Sequence, residues 1–146
     1  MQFKLIIDKT KEEEIVATVH APSDLTNRIE ELVLQASGTD RIAAFTEDDM
    51  VFLKFSSIEC ITVLDGKTHA IDTQGRKYRL KQRLYELEPQ LPSCFIRINK
   101  SSFANENRLE RFAATFSGAV DAVFKCGYRE YVSRRCFAAI RRRYDA

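Results

Sequence analysis

The chain has 146 residues, 45% apolar and 30% charged, which suits one globular domain with a real core and excludes a disordered chain. Lys plus Arg number 23 and Asp plus Glu 21, a net charge of +2 that does not by itself mark a polyanion binder. No run of apolar residues is long enough to span a membrane, and Met1-Gln2-Phe3-Lys4 does not open a secretion signal.

The charge is unevenly placed. Residues 1–50 hold five basic and eleven acidic residues, and residues 51–146 hold eighteen and ten. An acidic third therefore precedes a basic two-thirds. A basic module can attract a polyanion even when the whole chain is nearly neutral.

Gln2–Asp8 and Glu14–His20 alternate apolar and polar residues, which predicts two strands around a charged turn at residues 9–13. Pro22-Ser23-Asp24 opens a helix, with Ser23 or Asp24 as its N-cap. Leu25, Ile29, Leu32, Val33 and Ala36 share one face of it, and Gly38 is its stop. Residues 1–40 thus read as an acidic β-β-α segment. It is small for a free-standing fold, so it is expected to dock on the rest or on a copy of itself, serving dimerisation or regulation.

Residues 41–146 read as a β-rich module. Arg41–Thr46 and Val51–Phe55 are short strands. Ile58–Leu64 and Lys67–Thr73 flank Asp65-Gly66, a strong two-residue hairpin signal. Arg76–Leu80 is a further strand. Leu80, Leu84, Leu87 and Leu91 predict a short core-facing helix near residues 81–90, closed by Pro89 and Pro92. Phe95–Ile98, Leu109–Phe116, Ala119–Lys125 and Tyr128–Val132 are strands, and Ser133 caps a last helix over Arg134–Arg143.

No nucleotide-binding glycine motif and no nucleophile–base constellation is present, so an enzyme has no support in the residues. Cys60, Cys94, Cys126 and Cys136 form no CxxC pair, and His20 and His69 are far apart. No metal or cofactor is expected, and the cysteines read as small core residues with free thiols, as in a reducing cytoplasm. Basic residues concentrate instead where elements turn. Lys67 and Thr68 follow the first hairpin tip, Lys100 and Ser101 follow a strand, and Ser133, Arg134 and Arg135 open the last helix. Arg can grip guanine acceptors, Lys and Ser can hold phosphates, and a helix N-terminus offers N–H groups to an anion. The bland reading stands beside this one: Arg141–Arg143 also suits the negative end of a helix dipole, and Lys77 and Arg79 suit a solvated strand face.

The order of residues is more specific than the charges. Ile58-Glu59 precedes the Asp65-Gly66 hairpin. Leu84-Tyr85-Glu86-Leu87-Glu88 is followed by Leu91-Pro92 and Phe95-Ile96-Arg97-Ile98-Asn99-Lys100-Ser101. Asn105, Gly118 and Tyr131-Val132-Ser133-Arg134-Arg135 complete the series. Over roughly residues 45–146 this resembles the LytTR DNA-binding domain of bacterial transcription regulators. The resemblance implies a mainly β fold, an elongated set of small antiparallel sheets with short helices. It implies that loops enter two successive major grooves and the minor groove between them. By position it assigns one major-groove loop to Lys67 and Thr68, the minor-groove and backbone contact to Lys100 and Ser101, and the second major-groove contact to Arg135 beside Ser133 and Arg134.

The segment ahead of the module is too short for a phosphoacceptor receiver domain, so the chain looks like a stand-alone LytTR regulator. The resemblance then implies a cytoplasmic homodimer on promoter repeats, paired with a small inner-membrane regulatory protein. The alternative is a protein-interaction or regulatory module that binds a membrane partner with weak or no DNA binding.

Overall fold

The computed structural model describes residues 1–145. It contains three helices and ten strands: α1 (Asp24–Ser37), β1 (Arg41–Phe45), β2 (Met50–Lys54), β3 (Ile58–Leu64), β4 (Lys67–Asp72), β5 (Lys77–Arg79), α2 (Leu84–Leu87), β6 (Phe95–Asn99), β7 (Ser102–Asn105), β8 (Leu109–Ala114), β9 (Val120–Phe124), β10 (Arg129–Val132) and α3 (Arg134–Tyr144). Seven strands form one sheet in the order β2-β1-β5-β4-β3-β7-β6, and three form a second in the order β10-β9-β8. Every pairing is antiparallel.

The β3–β4 hairpin shows why the sequence folds this way locally. Asp65 has φ 51° and Gly66 φ 74°. Two successive positive φ angles give the turn whose twist matches that of paired strands, and Asp-Gly tolerates them. The turn fixes the register, with Leu64 opposite Lys67 and Val63 opposite Thr68.

The large sheet is covered on both faces. Ile61, Ala70, Phe103 and Leu87 belong to one core, and Cys60, Ile71, Ala104, Phe124 and Ile140 belong to the other. Adjacent residues such as Ala70 and Ile71 serve opposite faces because side chains alternate along a strand. The second core joins the large sheet to the small sheet and to α3.

Three features depart from the sequence reading. Gln2–Asp8 and Glu14–His20 form no strands. Within residues 1–22 the backbone hydrogen bond is Lys11 N to Asp8 O, in the turn, and no ladder joins the two stretches. A strand needs a partner to pair its backbone groups, and none lies beside this arm. The helix near residues 81–90 is a single turn at Leu84–Leu87 continued by a 3₁₀ turn at Glu88–Gln90, because Pro89 cannot extend an α-helix. Finally, Ser102–Asn105 is a strand that the sequence pattern does not reveal. The helix α1 matches its signals: Ser23 accepts from Thr26 N, and Gly38 ends the helix with φ 68°.

Candidate nucleic-acid interface

The sheet register brings three separate loops to one end of the molecule. The β3–β4 tip carries Lys67. The β6–β7 turn carries Lys100 and Ser101. Thr62 in β3 lies opposite Ser102 in β7, and Val63 N donates to Ser101 O at 3.1 Å. The tip and the turn therefore share one sheet end.

The third loop, between β10 and α3, is fastened to the same place. Ser133 N donates to Ile98 O at 2.9 Å. Asn99 bridges the two directly: its Nδ2 donates to Tyr131 O at 2.6 Å, and its Oδ1 accepts from Ser101 N at 2.7 Å. Arg97 braces the turn from below. Its guanidinium donates to Lys100 O at 2.9 Å, lies 4.6 Å over the Phe103 ring, and meets Glu88 at 3.5 Å.

A part-buried polar knot, with Thr62 and Ser102 buried and Glu130 half-buried, lies behind these loops. Glu130 Oε1 accepts from Thr62 Oγ1 at 2.9 Å and from Ser102 Oγ at 2.7 Å. Glu130 Oε2 accepts from the Tyr128 hydroxyl at 2.9 Å. Burial, and then the nearby Glu130 charge, pushes the Tyr128 phenol well above its usual pKa, so it keeps the proton it donates. Glu130 is the one acidic residue between Lys125 and Arg143, and its charge is used inward. One carboxylate thus ties β3, β7 and β10 together.

Of the residues named from sequence, Lys67, Lys100, Arg134 and Arg135 are exposed. Ser101 is half-buried. Thr68 is only 7% exposed, so Lys67 is the accessible member of its loop. Ser133 turns its hydroxyl to its own helix, accepting from Cys136 N at 3.2 Å. That cap leaves the N–H groups of Arg134 and Arg135 in the first turn of α3 without intrahelical partners. Arg135 also borders an open cleft of about 370 Å³ with Ile96, Arg97 and Arg143. At the far end of α3, Arg143 pairs with Glu106 at 3.0 Å and Arg141 with Asp145 at 3.6 Å. Both pairs are partly exposed, and they are ion pairs to named carboxylates, which the sequence reading of these arginines at the negative end of a helix dipole did not specify.

The sequence reasoning missed Asn99, the brace role of Arg97 and the Glu130 knot. Asn99 lies within the Ile98-Asn99-Lys100-Ser101 run. Its role is fixed by Tyr131, which is 32 positions away. The four cysteines are free thiols, and burial raises the pKa of Cys60, Cys94 and Cys126. Among the described residues no helix is long and apolar enough to cross a membrane.

Comparison with known proteins agrees with this geometry. The family model described as the LytTr DNA-binding domain matches residues 48–145. An uncharacterized HTH-type transcriptional regulator of Staphylococcus aureus strain MSSA476 is 30% identical over 146 residues, covering 98% of this chain and 97% of its own. Another from strain NCTC 8325 is 28% identical over the same span. A solved LytTr DNA-binding domain from Bacillus cereus superposes with a TM-score of 0.65 at 22% identity, covering 73% of this chain and 98% of that one. That likeness shows the mainly β fold. In this chain five strands separate α2 from α3, so these two helices do not form a helix-turn-helix. Three loops held at one sheet end, together with the match over residues 48–145, show that the chain belongs to the LytTR DNA-binding domain family.

Proposed function

We propose that the protein is a sequence-specific regulator of transcription that reads double-stranded DNA with loops. The Lys67 loop and the Arg135 loop enter successive major grooves, and the Lys100–Ser101 turn meets the minor groove and backbone between them. The observation that carries this reading is the bridge from Asn99 to both Tyr131 O and Ser101 N, which holds two of the three loops in one fixed spacing. A fixed spacing is what reading two sites on a rigid duplex requires.

Affinity comes from the phosphate contacts of Lys100, Ser101 and the first turn of α3, and specificity from Arg135 and Lys67. The protein acts in the cytoplasm as a dimer on repeated half-sites, and its acidic segment also suits a small membrane-bound regulator.

Titration with DNA from upstream of its own gene, against a scrambled duplex of equal length at two salt concentrations, tests the reading. Tighter binding to the upstream DNA at both salts is expected. Equal binding at both salts would favour a protein-interaction module instead.

A further inference from the structure

Residues 1–22 leave an unusual amount of apolar surface uncovered. Phe3, Leu5 and Ile7 are 89%, 75% and 84% exposed, and Ile15 and Val16 are 67% and 75% exposed. The arm has the alternation of strands but no ladder. Its turn is already formed, with Asp8 Oδ1 accepting from Thr10 N at 3.0 Å and from Thr10 Oγ1 at 2.6 Å. The arm's neighbour α1 has an uncovered stripe of its own, including Leu25 and Leu32, and buries no residue fully. A two-stranded arm is marginal alone, whereas four strands with one face covered are stable.

We infer that the arms of two copies of this chain pair antiparallel through Glu14–His20, forming a four-stranded intermolecular sheet whose apolar face is covered by the two α1 stripes. This rests on the dimeric reading above and gives it an interface. Three observations choose a second copy as the occupant.

The first is charge. Residues 1–40 hold four basic and eight acidic residues, which disfavours DNA and an anionic lipid surface, whereas the pairing stretch Glu14–His20 carries a single carboxylate, so two copies paired through it bring little like charge together. The second is self-complementarity, which a two-fold interface demands. An axis through Ala17 sets Ile15 opposite Val19, Val16 opposite Thr18, and the Glu14 carboxylate opposite the His20 ring, an acceptor against a donor. The small Ala17 meets its own copy at the axis. The third is position. α1 is held to the body where Glu30 accepts from Ser93 N at 2.9 Å, and where Asn27 donates to Asn107 at 3.5 Å. Ser93 precedes β6 and Asn107 follows β7, whereas Lys100 and Ser101 lie at the other end of that hairpin. A strand of that length separates the two ends by about 17 Å. The pairing face is thus kept apart from the DNA loops.

The test uses the full chain without DNA. Ala17→Cys should cross-link on mild oxidation, because directly opposed antiparallel residues sit at a disulfide-compatible Cα separation. Lys9→Cys, in the turn of the same arm, should not. The parent should sediment as a dimer at micromolar concentration, and Ala17→Arg should dissociate at least tenfold more readily while keeping the parent's thermal unfolding. A monomeric parent, cross-linking of Lys9→Cys equal to that of Ala17→Cys, or an Ala17→Arg chain as dimeric as the parent would overturn the inference. A dimer that ignores DNA sequence would leave this interface standing and sink the DNA reading. A monomer that still prefers its upstream DNA would do the reverse.

Discussion

Asn99 and Tyr131 are joined by one short hydrogen bond, Asn99 Nδ2 to Tyr131 O at 2.6 Å, across 32 positions of sequence. Asn99 is 7% exposed, and its other amide atom holds the Lys100–Ser101 turn. Breaking this pair leaves the Tyr131 carbonyl and the Ser101 N–H without their protein partner. Asn99→Ala should therefore cost about 1–3 kcal/mol of stability in urea denaturation. It should also weaken specific DNA binding more than scrambled-DNA binding, because the loop spacing is lost. An unchanged ratio of the two affinities would show that the bridge does not set the spacing.

Arg135→Ala should cost about 1–3 kcal/mol at the preferred site and relax the base preference at one position. Arg135 is exposed, so its loss should leave thermal stability close to the parent's. Binding to a panel of single-base variants checks this. A uniform loss over the whole panel would reassign Arg135 to the phosphates.

Lys100→Ala should weaken binding to all duplexes alike and lower the slope of log affinity against log salt by about one. Lys100 is the exposed member of a turn whose neighbours are held from behind. A change in base preference larger than the change in overall affinity would mean that Lys100 reads bases.

These three sites differ in how visible they are in the sequence. Lys67, Lys100 and Arg135 stand out because basic residues at turns keep their charge whatever the fold does. The Asp65-Gly66 turn and the Ser23 and Gly38 caps are equally visible, since each answers to local backbone geometry. Asn99 and Glu130 are not visible as ties, because their partners lie 32 and 68 residues away at the extremes. The strand β7 escapes for a related reason. All four of its residues are buried, so it shows no alternation, and its polar ends are spent inside: Ser102 bonds Glu130 and Asn105 bonds Ile58 O. The arm fails in the opposite sense, with a clear strand pattern and no partner within the chain.

The ion pair behind the second core should matter for stability rather than for binding. Glu59 is fully buried, pairs with Arg108, and accepts from Cys126 N at 2.8 Å. Arg108→Ala removes the partner of a buried carboxylate and should cost about 3–5 kcal/mol. Denaturant midpoints measure it. A loss below about 1 kcal/mol would place the pair among surface-like bridges.

Cys94 gives the fold a pH dependence on the alkaline side. Burial, and then the nearby Glu30 charge, raises its thiol pKa to about 11. A raised folded value means that the contribution is complete below the ordinary thiol pKa and is lost as pH rises toward about 11. The parent should therefore lose more stability between pH 8 and pH 10.5 than Cys94→Ser does. Parallel alkaline losses in the two proteins would contradict that assignment.

Methylation protection of guanine N7 on a duplex selected by the protein from a random pool tests the central claim most directly. Two clusters of protected guanines on one face, about 10 base pairs apart, are expected, because N7 lies in the major groove and successive major grooves repeat at that spacing. Arg135→Ala should lose one cluster and keep the other. A single cluster, or no protection under conditions where the duplex is bound, would contradict reading by loops in two successive grooves.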